Sequence, residues 1–168
     1  MVQSTSTNLR PGKIDFALAC PQAKVSHDVF VLPPDKFDVQ DGKLQLNQTA
    51  KPPWKQQHRL KLLQNLHGLK DAGATWFNHL RKGLIEDSKF KQSLVDPCLF
   101  CRGQVILVIH VDDCLIFTPK KSEADNLIQE LEDKFTIEDE GDVSGYLGIN
   151  ITRPTEGTIK MNQPALTK

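Results

Sequence analysis

A chain of 168 residues, 39% hydrophobic and 25% charged, has room for one globular domain with a real core. No apolar run approaches the roughly 20 residues that a membrane-spanning helix needs. The start, Met1 to Thr7, lacks the basic and apolar regions of a secretory signal. On these grounds no membrane partner and no secretion are expected, and an intracellular, cytoplasmic location is expected. The net charge of zero hides an asymmetry: nine Lys or Arg against three acids from Lys51 to Lys91, and nine acids against one Lys from Ser122 to Asp142. The basic stretch reads either as a solvated face or as a surface for nucleic-acid phosphate.

In chain order, residues 1–12 read as a polar, disordered lead-in ending in the turn signal Arg10-Pro-Gly12. Lys13 to Cys20 reads as a strand stopped by Pro21, with a lone carboxylate, Asp15, near its start. Val25 to Leu32 is a second strand, closed by Pro33-Pro34. Residues 35–57 form a long loop with a turn signal at Asp41-Gly42. His58 to Leu63 alternates polar and apolar residues as a short strand does. Gly68 to Gly73 then opens onto a helix over 74–87, whose Trp76, Phe77, Leu80 and Leu84 share one face.

The most informative stretch is Val105 to Phe117, two apolar runs rich in β-formers flanking Asp112 and Asp113. It predicts a hairpin with two carboxylates at its tip. Adjacent acids beside a core are costly unless a cation pairs with them, and a divalent metal ion is one such partner. After it, Ser122 to Asp125 has the form of a capping box. Ala124, Leu127, Ile128 and Leu131 form the apolar face of a helix to about Lys134. Phe135 to Ile137 reads as a strand, Gly141 as a break in an acidic loop, and Tyr146 to Ile151 as the next strand. Thr155-Glu-Gly157 turns into Thr158 to Met161 to close a hairpin. This mixed order predicts an α+β fold with helices packed on one face of an antiparallel sheet. Cys98, Cys101, His110 and Cys114 admit a zinc site, but their spacing matches no common finger, and cysteines among apolar strand residues pack as small hydrophobes.

Five motifs in order then carry a resemblance. Ile14 to Ala23, Leu66 to Trp76, Val95 to Phe100, His110 to Asp113 and Gly141 to Ile149 together resemble the reverse transcriptase of Ty1/copia-type retrotransposons, from about Lys13 to Pro164. The resemblance implies a polymerase palm over 13–168 and RNA-directed DNA polymerase activity by two-metal nucleotidyl transfer. Asp15, Asp112 and Asp113 would be catalytic and would hold two Mg2+ ions, or Mn2+, together with the carbonyl of Phe16. Phe16, Ala17, Leu18, Ala19 and Cys20 would run under the incoming deoxynucleoside triphosphate. Gly68, Leu69, Lys70, His110, Tyr146, Leu147 and Gly148 would contact the RNA or DNA template and primer.

Three departures qualify the resemblance. His110 stands where the family carries Tyr in the hairpin. Cys20 stands where it carries an aromatic residue that excludes a ribose 2′-hydroxyl, which predicts relaxed discrimination against ribonucleotides. Fingers and thumb regions are largely missing, so a truncated palm of weak activity, a partner chain supplying those regions, or an inactive remnant that folds or binds nucleic acid without polymerising are the expectations.

Overall fold

The computed structural model describes residues 9–40, 42–46, 59–152 and 160–163. The fold is mixed α/β, its strand pairs antiparallel and its helices few. The chain divides into two compact units, residues 20–76 and residues 1–19 with 77–168.

The larger unit is built on a six-stranded sheet, in the order β10-β1-β9-β8-β7-β6. Its strands are β1 (Arg10–Asp15), β6 (Lys91–Gln92), β7 (Leu99–Arg102), β8 (Val105–His110), β9 (Asp113–Thr118) and β10 (Glu138–Asp142). The β8–β9 hairpin forms where the sequence predicts it. Period-two alternation explains why: Val105, Leu107 and Ile109 on β8 and Cys114, Ile116 and Thr118 on β9 are buried, while the residues between them are not. Register puts Ile109 opposite Cys114, and Cys114 opposite Ile14 of β1, so these side chains share one face. Helix α3 (Lys121–Glu132) packs against β9 and buries Leu127 and Leu131. Its N-cap is Lys120, without a side-chain cap bond; Ser122 lies inside the helix, so the expected capping box does not form.

Other expectations are corrected. Arg10-Pro-Gly12 is strand, not turn. Pro11 is tolerated because pairing of β1 with β10 begins only at Gly12, so its missing N–H falls outside that ladder. β1 ends at Asp15 rather than Cys20, and Pro21 lies within a short helix, α1 (Ala19–Gln22), rather than stopping a strand. The acidic segment expected as a loop is β10, whereas Phe135 to Ile137 is not strand. Tyr146 to Ile151 is a hairpin, not one strand: β11 (Gly145–Tyr146) and β12 (Ile149–Thr152) flank Leu147 at φ +49° and Gly148 at φ +76°. Two left-handed central residues are the type I′ pattern that suits a tight hairpin. β13 (Lys160–Asn162) pairs with β12; the expected turn at 155–157 lies outside the described residues.

In the smaller unit, β2 (Phe30–Val31) pairs with β5 (Leu60–Lys61). β3 (Phe37–Gln40) pairs with β4 (Lys43–Leu46) within the segment expected to be loop. Helix α2 (Ala72–Lys82) begins in this unit and continues as one turn of π-helix over Gly83–Asp87. Trp76, Leu80 and Leu84 are buried as their spacing predicts, while Phe77, expected with them, is half-buried.

Candidate metal-binding site

Register sets a row of polar residues across one edge of the sheet. Glu138 on β10 stands opposite Asp15, Asp15 opposite Asp113, and Asp113 opposite His110. Directly opposed residues point to the same face. That face is opposite the buried one carrying Ile14, Cys114 and Ile109, so the carboxylates sit at the sheet surface with the core behind them.

Glu140 joins this row through an irregularity. The register of β1 against β10 shifts between Lys13 and Ile14, which pair with Gly141 and Asp139, leaving Glu140 as the extra residue of a β-bulge. Gly141, at φ +72°, supplies a left-handed conformation at that bulge. As a result, one ligand atom each from Asp15, Asp113 and Glu140 lie within 4.8 Å of one another. Lys13, on the same face as Asp15, bridges the last two: its Nζ is 2.9 Å from Asp113 Oδ1 and 3.0 Å from Glu140 Oε2.

The charges perturb one another. Partial burial holds the Asp15 carboxyl above its ordinary value, and the Asp112, Asp113, Glu140 and Glu138 carboxylates push the same way. The hydrogen bond to Asp113 holds the Lys13 ammonium above its ordinary range, against the opposing pull of burial. Tyr146 on β11 also senses the site: burial first, then the Asp113 charge, raises its phenol.

Asp112 is placed differently from the expectation that paired it with Asp15. It lies in the two-residue loop between His110 and Asp113 and is outside the three-carboxylate cluster, although its charge is the nearest rival to burial in raising Asp15. Its backbone carbonyl accepts a 2.9 Å hydrogen bond from the Phe16 amide, which ties the hairpin tip to the chain leaving β1. Val111, the other loop residue, has φ +59°. A β-branched residue there is a steric outlier, held by the surrounding ladder at a cost of about 1–3 kcal/mol.

The residues expected under a nucleotide do not form one exposed strip. Phe16, Ala19 and Cys20 are buried, Ala17 is half-buried, and only Leu18, at φ +53°, projects, with 70% of its surface exposed. The Phe16 ring is locked edge-on against Phe135, their centroids 5.7 Å apart. In the smaller unit Gly68 and Lys70 are exposed and Leu69 is half-buried, in the turn leading to α2. Leu147 and Gly148 form the exposed tip of the β11–β12 hairpin, and Tyr146 is half-buried beside it. The zinc reading is not supported among the described residues: Cys114 faces the core while His110 lies on the other face, and burial holds the Cys114 thiol protonated.

Clustered carboxylates on adjacent strands of an antiparallel sheet are hard oxygen donors, the ligand chemistry of metal-dependent phosphoryl-transfer proteins. The comparisons with known proteins give the family. The profile of the family described as reverse transcriptase (RNA-dependent DNA polymerase) matches residues 5–167. The chain belongs to that family, as a domain of the Ty1/copia type. It is similar to the Transposon Ty1-NL2 Gag-Pol polyprotein of Saccharomyces cerevisiae, 24% identical over 123 residues, covering 73% of this chain and 6% of the polyprotein. It is similar also to the Transposon Ty1-DR4 Gag-Pol polyprotein of the same organism, 23% identical over 120 residues, covering 71% and 6%. The match to the Transposon TyH3 Gag-Pol polyprotein of Saccharomyces cerevisiae has the same identity and coverage. The chain thus spans about 6% of the length of the curated relatives it matches. No solved structure matches it. Among the described residues, no helix is long and apolar enough to cross a membrane.

Sequence reasoning missed Glu140 and Lys13. The signal for Lys13 was its spacing: two residues from Asp15 on a strand means the same face. Glu140 carried no such signal, because only the bulge explains its part in the cluster.

Proposed function

We propose that this chain is a polymerase palm that extends a primer 3′-hydroxyl with deoxynucleoside triphosphates on an RNA or DNA template. The observation that carries this reading is the convergence of Asp15, Asp113 and Glu140 oxygens within 4.8 Å, on a chain of the reverse transcriptase family. The donor set is of the kind Mg2+ takes, with Mn2+ as a substitute, being all oxygen and multiply anionic, and two ions are what the family reading implies. Asp15, Asp113 and Glu140 would hold them, with Asp112 and the Phe16 carbonyl alongside. When bound, such ions stabilise the attacking and leaving oxygens of an in-line displacement at phosphorus.

The protein's own part is positioning. The hydrogen bond from Phe16 to Asp112 and the Phe16–Phe135 contact fix the backbone on which the acids stand. His110, at the end of the acidic row, and Tyr146, Leu147 and Gly148 on the β11–β12 hairpin would hold the primer. Gly68, Leu69 and Lys70 would contact template, and the segment Phe16 to Cys20 would lie along the nucleotide with Leu18 as its exposed side chain. Contacts to phosphate by Lys and Arg would be insensitive to base sequence.

A second reading is a folded remnant that binds nucleic acid without polymerising. The Lys13 ammonium within the acid cluster and the position of Asp112 outside it favour that reading. Magnesium-dependent extension of a DNA primer on an RNA template separates the two. Extension by the wild type that is lost in Asp112→Asn and Asp113→Asn supports the polymerase. Equal signals from wild type and both variants leave the remnant.

A further inference from the structure

The acid cluster contains its own cation. Lys13 reaches Asp113 and Glu140 at 2.9 and 3.0 Å, and its side chain retains only 15% exposure. Both ion pairs engage oxygens belonging to the residues whose ligand atoms lie within 4.8 Å of Asp15. The geometry is fixed by the sheet rather than by a chance approach of long side chains. Lys13 and Asp15 share a face of β1, Asp113 is opposite Asp15 on β9, and the bulge on β10 leaves Glu140 as the residue opposite no partner.

We propose that Lys13 is an internal counter-ion of the metal centre: its ammonium neutralises Asp113 and Glu140 in the metal-free chain and must leave when a divalent ion takes those oxygens. The inference rests on the reading of the cluster as a metal site. The ammonium contacts two of the three carboxylates and gives them two charge-assisted hydrogen bonds that a metal has to displace. Lys13 thereby sets the concentration at which metal enters. It keeps the free fold from carrying a patch of unpaired like charge, at the expense of affinity. An ordinary structural ion pair gives a different outcome: its removal loosens the sheet and leaves metal binding unchanged or weaker.

Mn2+ is the probe, with binding followed by calorimetry and by the rise in Tm on adding it to metal-stripped protein. Lys13→Met and the polar, uncharged Lys13→Gln are both expected to bind Mn2+ about tenfold tighter than wild type, as loss of two competing, solvent-screened charged hydrogen bonds implies. Both are expected to melt lower than wild type in EDTA and to gain more from Mn2+. Lys13→Arg, which keeps the positive charge, is expected to show no tightening. Unchanged or weaker Mn2+ binding in both neutral variants overturns the counter-ion role. Asp15→Asn and Asp113→Asn test the underlying site separately. If those two bind Mn2+ as wild type does, the metal reading itself fails; if they weaken it while the Lys13 variants do nothing, only the counter-ion role fails.

Discussion

Replacing Gly83 with alanine reaches the acid cluster through two aromatic rings. A Cβ built on Gly83 lies 2.6 Å from Phe135 Cζ and 3.3 Å from Cε2. Carbon atoms pack at about 3.5–4.0 Å, so the ring has to retreat by about 1 Å. It has little room to do so: Phe135 is 5% exposed, and the rings of Phe16 and His79 each meet it edge-on at 5.7 Å. Overpacking of this kind costs about 1–3 kcal/mol, against which Ala gains about 1 kcal/mol over Gly within a helix. The expected net loss is about 1 kcal/mol, a fall in Tm of about 2–4 °C for a chain of this size. Displacement of Phe135 presses on Phe16, whose amide holds the Asp112 carbonyl, so primer extension is expected to fall about tenfold as the acids lose alignment. Thermal melts and extension assays on Gly83→Ala, and on Gly83→Ala with Phe135→Leu, give the test. The smaller Leu should recover part of both losses. A Gly83→Ala variant that melts at or above wild type with full activity refutes the coupling of Gly83 to the acids through Phe135 and Phe16.

Asp15 titrates above its ordinary value in the folded chain. Its contribution to stability is therefore complete below the ordinary aspartate value of about 3.9 and is lost as pH rises through the raised folded value. Asp15→Asn should stabilise the metal-free chain at pH 7 and flatten the profile there, read by urea unfolding between pH 4 and 7; destabilisation at pH 7 contradicts this. Val111→Asn, at φ +59°, places a residue that tolerates the left-handed region in an exposed loop, and should stabilise by about 1 kcal/mol in chemical denaturation. Arg102→Met removes the paired contacts to Glu130 at 2.8 and 3.0 Å, the bond to the Ser88 carbonyl and the stacking over Phe90 at 4.5 Å. Because the pair is about one-third exposed, a loss of about 2 kcal/mol is expected, and no measurable change in Tm contradicts it.

The sequence displayed those elements with a concentrated apolar signal. β8 and β9 were legible because Val105 to Ile109 and Cys114 to Phe117 are short apolar runs rich in β-formers on either side of two acids, although which of those residues face the core is set by their alternation in the sheet. Helix α3 was legible in Leu127 and Leu131, though not in its cap, which uses backbone at Lys120 instead of the Ser122 side chain. β10 was hidden because all five of its residues are exposed and four are acidic; an edge strand held by backbone pairing leaves no hydrophobic period. The early end of β1 was hidden for the converse reason. Phe16 and Ala19 are buried after the strand has stopped, so apolar character continues where extended backbone does not. At the site, Asp15 and Asp113 could be named from the motifs. Their cross-strand opposition, the displacement of Asp112 into the loop, and the entry of Glu140 through a bulge depend on register, which residue types alone do not encode.

The most direct test of the central claim is single-nucleotide incorporation onto an annealed primer in Mg2+, measured side by side for wild type and Asp15→Asn. Template-directed incorporation is expected from the wild type, and background incorporation from a variant that remains folded and melts no lower in the absence of metal. Incorporation at the same rate by both proteins contradicts the assignment of the Asp15 cluster as the metal centre of a polymerase.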